Sequence, residues 1–135
     1  YYLSYIFDDV RLIRSDSVTE SIEEIHRIGE QDVILAISFP RYSVKTIQTV
    51  SFAKNRKAKI IAITDGEQSP LAKYADCSIY TGSDMVSFVD SLVAPLSVVN
   101  ALLAALSMRY KDSVTDTMLS MESIWNTMNE YERID

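Results

Sequence analysis

Two apolar runs decide the fold of this chain: Ile34-Leu35-Ala36-Ile37 and Ile60-Ile61-Ala62-Ile63. Both runs are continuous rather than alternating, which is typical of strands covered on both faces in a parallel sheet. Longer patterns of helical period separate the apolar runs, and this alternation predicts βαβ units. We therefore expect an α/β fold, a three-layer open parallel sheet with helices on both faces and these two runs as its central strands. The predicted strands are Val10–Ile13, Val33–Ser38, Lys59–Thr64 and Cys77–Tyr80.

Capping residues bound the predicted helices between these strands. Asp16 or Ser17 caps a first helix that ends at Gly29, and a second helix begins directly after Ser43. Ser69-Pro70 supplies an N-cap and a proline at the first helical position of a short third helix. These signals place one helix in each crossover of the sheet.

Two further helices are predicted beyond the strands. A long apolar helix runs from about Ser87 to Tyr110, with Pro95 near its first turn, and its apolarity predicts deep burial or a dimer interface. Residues 113–135 form a C-terminal amphipathic helix of the same domain. We expect a single domain over residues 1–135, and the opening of the chain indicates a fragment that lacks the first strand of its sheet.

Composition excludes several classes of function. The chain has 135 residues, 13 basic and 19 acidic, and a formal net charge of -6. This charge opposes the phosphate backbone, so we expect no nucleic acid binding by this chain alone. The most apolar stretch is too interrupted to span a membrane, and a cytoplasmic protein is expected. The lone Cys77 and the single His26 give no pattern for a disulfide, a metal or another cofactor.

The best candidate site lies in the loop from Ser38 to Ser43. In an open parallel α/β sheet, ligands bind at the carboxyl ends of the strands. This loop offers two hydroxyls, the guanidinium of Arg41 and the start of a helix, all of which favour an anion. Alternatively, Ser43 is a simple N-cap, Pro40 forms a turn and Arg41 is a solvated charge.

Three pieces of the chain, in this order and spacing, resemble the core of SIS (sugar isomerase) domains, as in RpiR-type bacterial transcriptional regulators. They are the run Ala36-Ile37-Ser38-Phe39-Pro40-Arg41-Tyr42-Ser43, the run from Ala58 to Asp65, and Ser69-Pro70-Leu71-Ala72. The resemblance implies a flavodoxin-like α/β fold and binding of a phosphorylated sugar through Ser and Thr hydroxyls. It also implies a homodimer or higher homo-oligomer, with DNA contacted by a separate helix-turn-helix domain.

The family pattern carries over to two positions of the loop, Ser38 and Ser43. The chain departs from the pattern at Pro40, where Ser is usual, and at Arg41, where Gly is usual. We predict that the ligand, a sugar phosphate or related acidic metabolite, is bound by the following residues: Ser38, Arg41, Tyr42, Ser43 and Thr64. Thr64 and its neighbour Asp65 end the next strand and are expected to reach a ligand hydroxyl, with turn chemistry as the alternative.

No catalytic residue is predicted. An isomerase needs a general base near the sugar carbon, and His26 lies within the helix between the first two strands. We therefore expect a sensing domain rather than an enzyme. Two alternatives remain open, a sugar phosphate isomerase and a dimerisation module that binds no ligand.

Overall fold

The computed structural model describes residues 1–14, 16–83 and 91–128 of the chain. It contains an open sheet of three parallel strands, in the order β1-β2-β3. The strands are β1 (Val33–Ile37), β2 (Lys59–Thr64) and β3 (Cys77–Tyr80). The predicted parallel α/β sheet is therefore confirmed, with strand bounds within one residue of those expected.

β2 is the central strand of the described sheet, whereas β1 is not. Ile34 pairs with Ile60 and Ile37 with Ile63, and β3 pairs with the other edge of β2. In β1 the side chains of Val33 and Ile37 are 59% and 46% exposed, while Ile60 and Ile63 of β2 are fully buried. The expectation that both apolar runs are central holds for β2 only, because an apolar composition does not reveal how many neighbours a strand has.

The predicted strand Val10–Ile13 is wrong. The structure describes these four residues as irregular chain, and Leu12 is 69% exposed. Arg11 interrupts the apolar run, and its Nε donates to Oδ1 of Asp9 at 3.0 Å. A strand needs a neighbour to pair with its backbone, and the described sheet contains only β1, β2 and β3.

Two of the predicted helices form, with shorter bounds for the first, which precedes β1. α1 (Val18–Glu24) begins at the N-cap Ser17, whose side chain accepts from the Glu20 backbone N–H at 3.1 Å. It ends before the predicted Gly29. α2 (Val44–Asn55) begins after its N-cap Ser43 and lies against β1 and β2, and α1 packs against α2.

The core lies between α2 and one face of the sheet. Alternate residues of β1 and β2 point to this face, because side chains alternate along a strand. Ala36 of β1 and Ala62 of β2 are buried in one cluster with Val50 and Ala53 of α2. The buried core cluster consists of Ala36, Val50, Ala53, Ala58, Ile60, Ala62 and Leu71.

The chain divides into two compact units, Leu12–Val98 and a second formed by Tyr1–Arg11 with Val99–Asp135. The first unit holds the sheet, α1, α2 and a short 3-10 turn at Ala72–Tyr74. In the second unit a 3-10 turn at Tyr2–Tyr5 contacts α4 (Lys111–Met128). The single-domain expectation stays a prediction.

The long apolar helix, α3 (Val93–Arg109), was predicted to start at about Ser87, and residues 87–90 of that predicted start lie outside the described residues. Pro95 is buried in its first turn, as expected. Deep burial of the whole helix is not observed, since Val93, Leu96 and Met108 are 73%, 58% and 80% exposed. Residues 129–135 of the predicted last helix also lie outside the described part of the chain.

In the described ranges, no single helix is both long and apolar enough to cross a bilayer. Taken together, α3 and α4 have the length and the apolar composition of a membrane span, but the chain bends by 99° between them.

Asp76 joins the start of β3 to β2 and to α2. Its Oδ2 accepts from the Ile60 backbone N–H at 2.8 Å, and its Oδ1 accepts from Lys54 Nζ at 2.8 Å. The Asp76 backbone N–H in turn donates to the Ile60 carbonyl at 2.8 Å. The bonds from Lys54 and from the Ile60 amide hold the pKa of Asp76 below its ordinary value.

This lowered pKa predicts a defined pH dependence of stability. Because the folded pKa lies below the unfolded one, the contribution of Asp76 is complete above about pH 4, the unfolded pKa, and is lost as pH falls through the folded pKa. The difference in unfolding free energy between wild type and Asp76→Asn should therefore shrink in acid. Urea unfolding between pH 2 and 7 measures it. Lys54→Met removes the largest cause of the lowered pKa of Asp76 and should reduce this pH dependence. If the difference in unfolding free energy between wild type and Asp76→Asn did not change with pH, a lowered pKa of Asp76 would be contradicted.

Candidate functional site

The loop from Ser38 to Ser43 connects the carboxyl end of β1 to the start of α2. Ser43 is extended, with φ -67° and ψ 116°, and its hydroxyl oxygen accepts from the Thr46 backbone N–H at 3.3 Å. Its carbonyl accepts the first helical bond, from the Ile47 N–H at 3.1 Å. Ser43 itself is exposed, so its hydroxyl hydrogen remains able to donate outward while the oxygen caps the helix.

The first turn of α2 gives this loop a positive electrostatic character. A helix carries roughly half an elementary charge at its N-terminus, where the first N–H groups point out of the helix. α2 has 12 residues, enough for three turns. Together with the charge of the exposed residue Arg41, the helix end favours an anion at this loop, although the chain as a whole has a net charge of -6.

Arg41 adopts a left-handed backbone conformation with φ 65°. This conformation costs a residue with a Cβ about 1–2 kcal/mol, which is why glycine is favoured there. The surrounding structure must therefore hold the turn in place. Backbone strain of this kind concentrates at functional sites.

Thr64, the last residue of β2, supports the loop from below. It is fully buried, and its Oγ1 lies 2.7 Å from the Ser38 carbonyl oxygen and 2.7 Å from Ser69 Oγ. Ser69 Oγ also accepts from the Leu71 backbone N–H at 3.2 Å. One consistent arrangement has Ser69 donating to Thr64 and Thr64 donating to Ser38, which links the ends of β1 and β2 to the segment after β2.

Tyr42 ties the loop to the end of β2 from the side. Its hydroxyl lies 2.9 Å from both Oδ1 and Oδ2 of Asp65. Burial and the neighbouring Asp65 carboxylate raise the pKa of Tyr42 above its ordinary value, although a bond to Ser69 opposes the shift. Tyr42 is therefore a protonated donor at neutral pH. The Tyr42–Asp65 bond restrains the residue directly after the strained turn at Arg41.

The structure brings the five predicted site residues together at one edge of the sheet, but with different roles. Arg41 and Ser43 are exposed and Tyr42 is half-buried, so they can meet a ligand. Ser38 is 7% exposed and Thr64 has no exposed surface. Direct contact between the Thr64 side chain and a ligand stays a prediction; the Thr64 hydroxyl is bonded among Ser38, Ser69 and Asp65, an arrangement that suits a positioning role.

Two residues of this network were missing from the predicted set. Asp65 was weighed as a contact to a ligand hydroxyl, with turn chemistry as the alternative, but its bond to Tyr42 was not predicted. Ser69 was interpreted only as a helix cap. Asp65 follows the end of β2 and Tyr42 lies four residues beyond Ser38. The carboxyl ends of neighbouring parallel strands lie at the same edge of a sheet, and this rule could have predicted that Asp65 and Tyr42 lie close together.

His26 lies away from this site. It is exposed, its Nδ1 lies 2.7 Å from the Glu23 carbonyl, and its own carbonyl accepts from Arg56 at 3.2 Å. Arg56 is the C-cap of α2, whereas the site is at the N-terminus of the same helix, about 18 Å away at 1.5 Å per residue. Within the described ranges, no group of three or more His, Cys, Asp or Glu residues could hold a metal ion.

A parallel α/β sheet with an anion-favouring loop at its carboxyl edge defines a class of small-molecule binding domains. The family model of the SIS domain matches residues 14–105, which is more than half of the chain. The chain therefore belongs to the SIS domain family, and the resemblance drawn from residues 36–43, 58–65 and 69–72 is confirmed.

The chain is similar to parts of several bacterial transcriptional regulators. The chain is 31% identical over 105 residues to an uncharacterized HTH-type transcriptional regulator of Caldanaerobacter subterraneus, covering 70% of this chain and 37% of that protein. It is similar to the sugar isomerase domain of the RpiR transcription factor from Sphaerobacter thermophilus, with a TM-score of 0.75 and 25% identity over 83% of this chain and 62% of that one.

The Vibrio vulnificus NanR protein complexed with ManNAc-6P shares the fold, with a TM-score of 0.75 and 17% identity over 95% of this chain and 49% of that one. The chain thus spans about a third of the length of the HTH-type relative that it matches.

The stabilising role of the Thr64 hydroxyl can be tested by comparing two buried threonines, Thr64 and Thr49. Thr64→Val should destabilise the domain by about 1–3 kcal/mol, because it leaves the Ser38 carbonyl and Ser69 hydroxyl buried without this partner. Thr49 is the matched control, since it is 5% exposed and its Oγ1 has no hydrogen-bond partner among the described residues. Thr49→Val should be neutral or stabilising. Equal effects of the two substitutions in urea unfolding would refute the assigned role of Thr64.

Proposed function

We propose that this SIS domain is the sensing part of a transcriptional regulator and binds a sugar phosphate or related acidic sugar metabolite at the Ser38–Ser43 loop. The observation that carries the proposal is the loop itself, an exposed Ser43 and Arg41 at the N-terminus of α2, held from below by Thr64 and from the side by Asp65. In such a preformed site fewer groups have to be ordered on binding, so the loss of conformational entropy is smaller.

Each exposed group has a defined task in this proposal. The phosphate lies against the first turn of α2, where the helix end favours a negative charge. The Ser43 hydroxyl donates to one phosphate oxygen while its own oxygen continues to accept from Thr46. The Arg41 guanidinium adds a charge-assisted hydrogen bond, which is roughly twice as strong as a neutral one.

The comparisons support a ligand of this class and a regulatory role. The Vibrio vulnificus NanR structure of the same fold is complexed with ManNAc-6P. The relative from Caldanaerobacter subterraneus is an HTH-type transcriptional regulator. We infer that DNA is contacted by a different part of such a regulator, because the net charge of -6 disfavours contact by this chain.

An isomerase is the second candidate function, and one observation favours it. The structure brings the carboxylate of Asp65 to the edge of the loop, where it is exposed. A carboxylate is one of the side chains that act as a general base. Turnover of sugar phosphates that Asp65→Asn abolishes would establish the isomerase instead of the sensor.

Thermal unfolding against a panel of phosphates tests the sensing proposal. Sugar phosphates should raise the melting temperature of the native domain, because ligands that bind only the folded state stabilise it. Arg41→Ala and Ser43→Ala should abolish the ligand-induced rise. Ser43→Ala also removes a helix cap worth about 0.5–2 kcal/mol, so each variant is compared with its own ligand-free melting temperature.

Lys59→Ala is the charge control for Arg41. Lys59 is an exposed cation at the amino end of β2, so its loss alters net charge without touching the loop. The ligand-induced rise should survive in this variant. An equal loss in Lys59→Ala and Arg41→Ala would mean that general electrostatic attraction, and no defined site, accounts for binding. No rise with any compound would favour the dimerisation module that binds no ligand.

We also propose that the domain forms a homodimer through the start of α3. Val93 and Leu96 are three residues apart at the start of α3, and they and Leu92, which directly precedes the helix, are more than half exposed. Exposed apolar groups at this spacing are typical of a protein interface.

Light scattering after size-exclusion chromatography tests this proposal. Leu96→Lys should convert a dimer into a monomer, because a buried lysine charge opposes association, while lysine retains a helix propensity close to that of leucine. Leu12→Lys is the matched control, since Leu12 is 69% exposed and lies outside the helix. A wild-type chain that is monomeric at all concentrations would overturn the proposal.

A further inference from the structure

The Asp65 carboxylate is a negative charge at a site that attracts anions. Its oxygens lie 2.9 Å from the hydroxyl of Tyr42, which stands between Arg41 and Ser43 in the loop. Asp65 is exposed, whereas its neighbour Thr64 is fully buried. A carboxylate beside an anion site repels a ligand that consists of negative charge alone. The position therefore needs an explanation beyond simple phosphate binding.

The same carboxylate has hydrogen-bonding capacity to spare. An ionised carboxylate offers about four acceptor positions. Within the described residues, its hydrogen bonds involve the Tyr42 hydroxyl and Thr64 Oγ1, which lies 3.0 Å from Oδ1. The hydrogen of Thr64 is shared with the closer Ser38 carbonyl at 2.7 Å. At least two acceptor positions on an exposed carboxylate are therefore available to a ligand.

We propose that Asp65 is the residue that makes the site selective for hydroxyl-bearing phosphate esters over inorganic phosphate. This inference rests on the proposed function of the Ser38–Ser43 loop. The carboxylate accepts a hydrogen bond from a sugar hydroxyl, and such charge-assisted bonds are short and strong. Inorganic phosphate bound at the helix end and the guanidinium has no sugar hydroxyl to donate to this carboxylate, so it meets the repulsion of Asp65 without that bond.

The selectivity follows from hydrogen bonds that are present for one ligand and missing for the other. A site built to bond a ligand hydroxyl discriminates strongly against an analogue that lacks it. Free inorganic phosphate competes with every phosphate ester for the same helix end. The Asp65 carboxylate opposes the binding of this competitor by repulsion, whereas for the ester its hydrogen bond to the sugar hydroxyl offsets that repulsion.

The test is the ratio of two dissociation constants, measured by titration calorimetry at fixed ionic strength. One ligand is inorganic phosphate, and the other is the sugar phosphate that gives the largest rise in melting temperature among glucose 6-phosphate, fructose 6-phosphate, glucosamine 6-phosphate and N-acetylmannosamine 6-phosphate. Asp65→Asn removes the charge but keeps one oxygen that can accept from Tyr42. We expect tighter binding of phosphate and weaker binding of the sugar phosphate, so that selectivity falls by about tenfold or more.

Two control variants separate selectivity from other effects. Glu67→Gln removes an exposed negative charge from the turn after β2 and should leave the ratio unchanged. Tyr42→Phe removes the bond that restrains the loop but keeps the Asp65 charge, so it should weaken both ligands together. Ligand-free melting temperatures report whether each variant is folded.

The outcomes distinguish this inference from the proposed function. If the wild-type domain binds no phosphate compound, the proposed function fails and the inference fails with it. If the wild-type domain binds a sugar phosphate but Asp65→Asn weakens both ligands by the same factor, as expected for Tyr42→Phe, Asp65 is purely structural. In that case the selectivity inference is overturned while the proposed function stands.

Discussion

The register of β1 against β2 is the constraint on which the site depends. Ile37 pairs with Ile63, and the Ser38 backbone N–H donates to the Ile63 carbonyl, which places Ser38 beside Thr64 at the edge of the sheet. A shift by one residue would turn every side chain of a strand to the opposite face. Thr64 would then no longer lie under the Ser38 carbonyl, and the loop that leads to α2 would lose its buried support. The core contacts that fix the register therefore also fix the geometry of the loop.

Arg41 shows what this support achieves. A glycine is usual at this position in the family, and a left-handed turn suits it. This chain keeps the turn with an arginine at φ 65°. The strain is held by bonds on either side of the residue, from Thr64 to Ser38 and between Tyr42 and Asp65. The chain thereby gains a cation at the loop without losing the backbone shape that presents the helix end.

Local signals in the sequence predicted the parts of the fold that local chemistry controls. Ser17 and Ser43 cap the helices that were assigned to them, and β2 ends before Asp65-Gly66, because caps and turns depend on a few adjacent residues. Val10–Ile13 was misassigned because a strand also requires a neighbour, and no local pattern reports one. The bond between Tyr42 and Asp65 escaped prediction for a related reason, since it joins side chains 23 residues apart. Such a contact follows from the register and the loop conformation together.

The electrostatics of the site follow from the same arrangement. The chain as a whole is acidic, so attraction of an anion must come from a local field, which the N-terminus of α2 and the Arg41 side chain supply. That field alone would not distinguish one phosphate compound from another. The hydroxyls and the carboxylate around it have fixed positions, because Thr64 and Ser69 are buried and Tyr42 is bonded to Asp65. In the proposed site the helix end supplies the attraction, and we expect the ordered polar groups at the ends of β1 and β2 to distinguish between ligands.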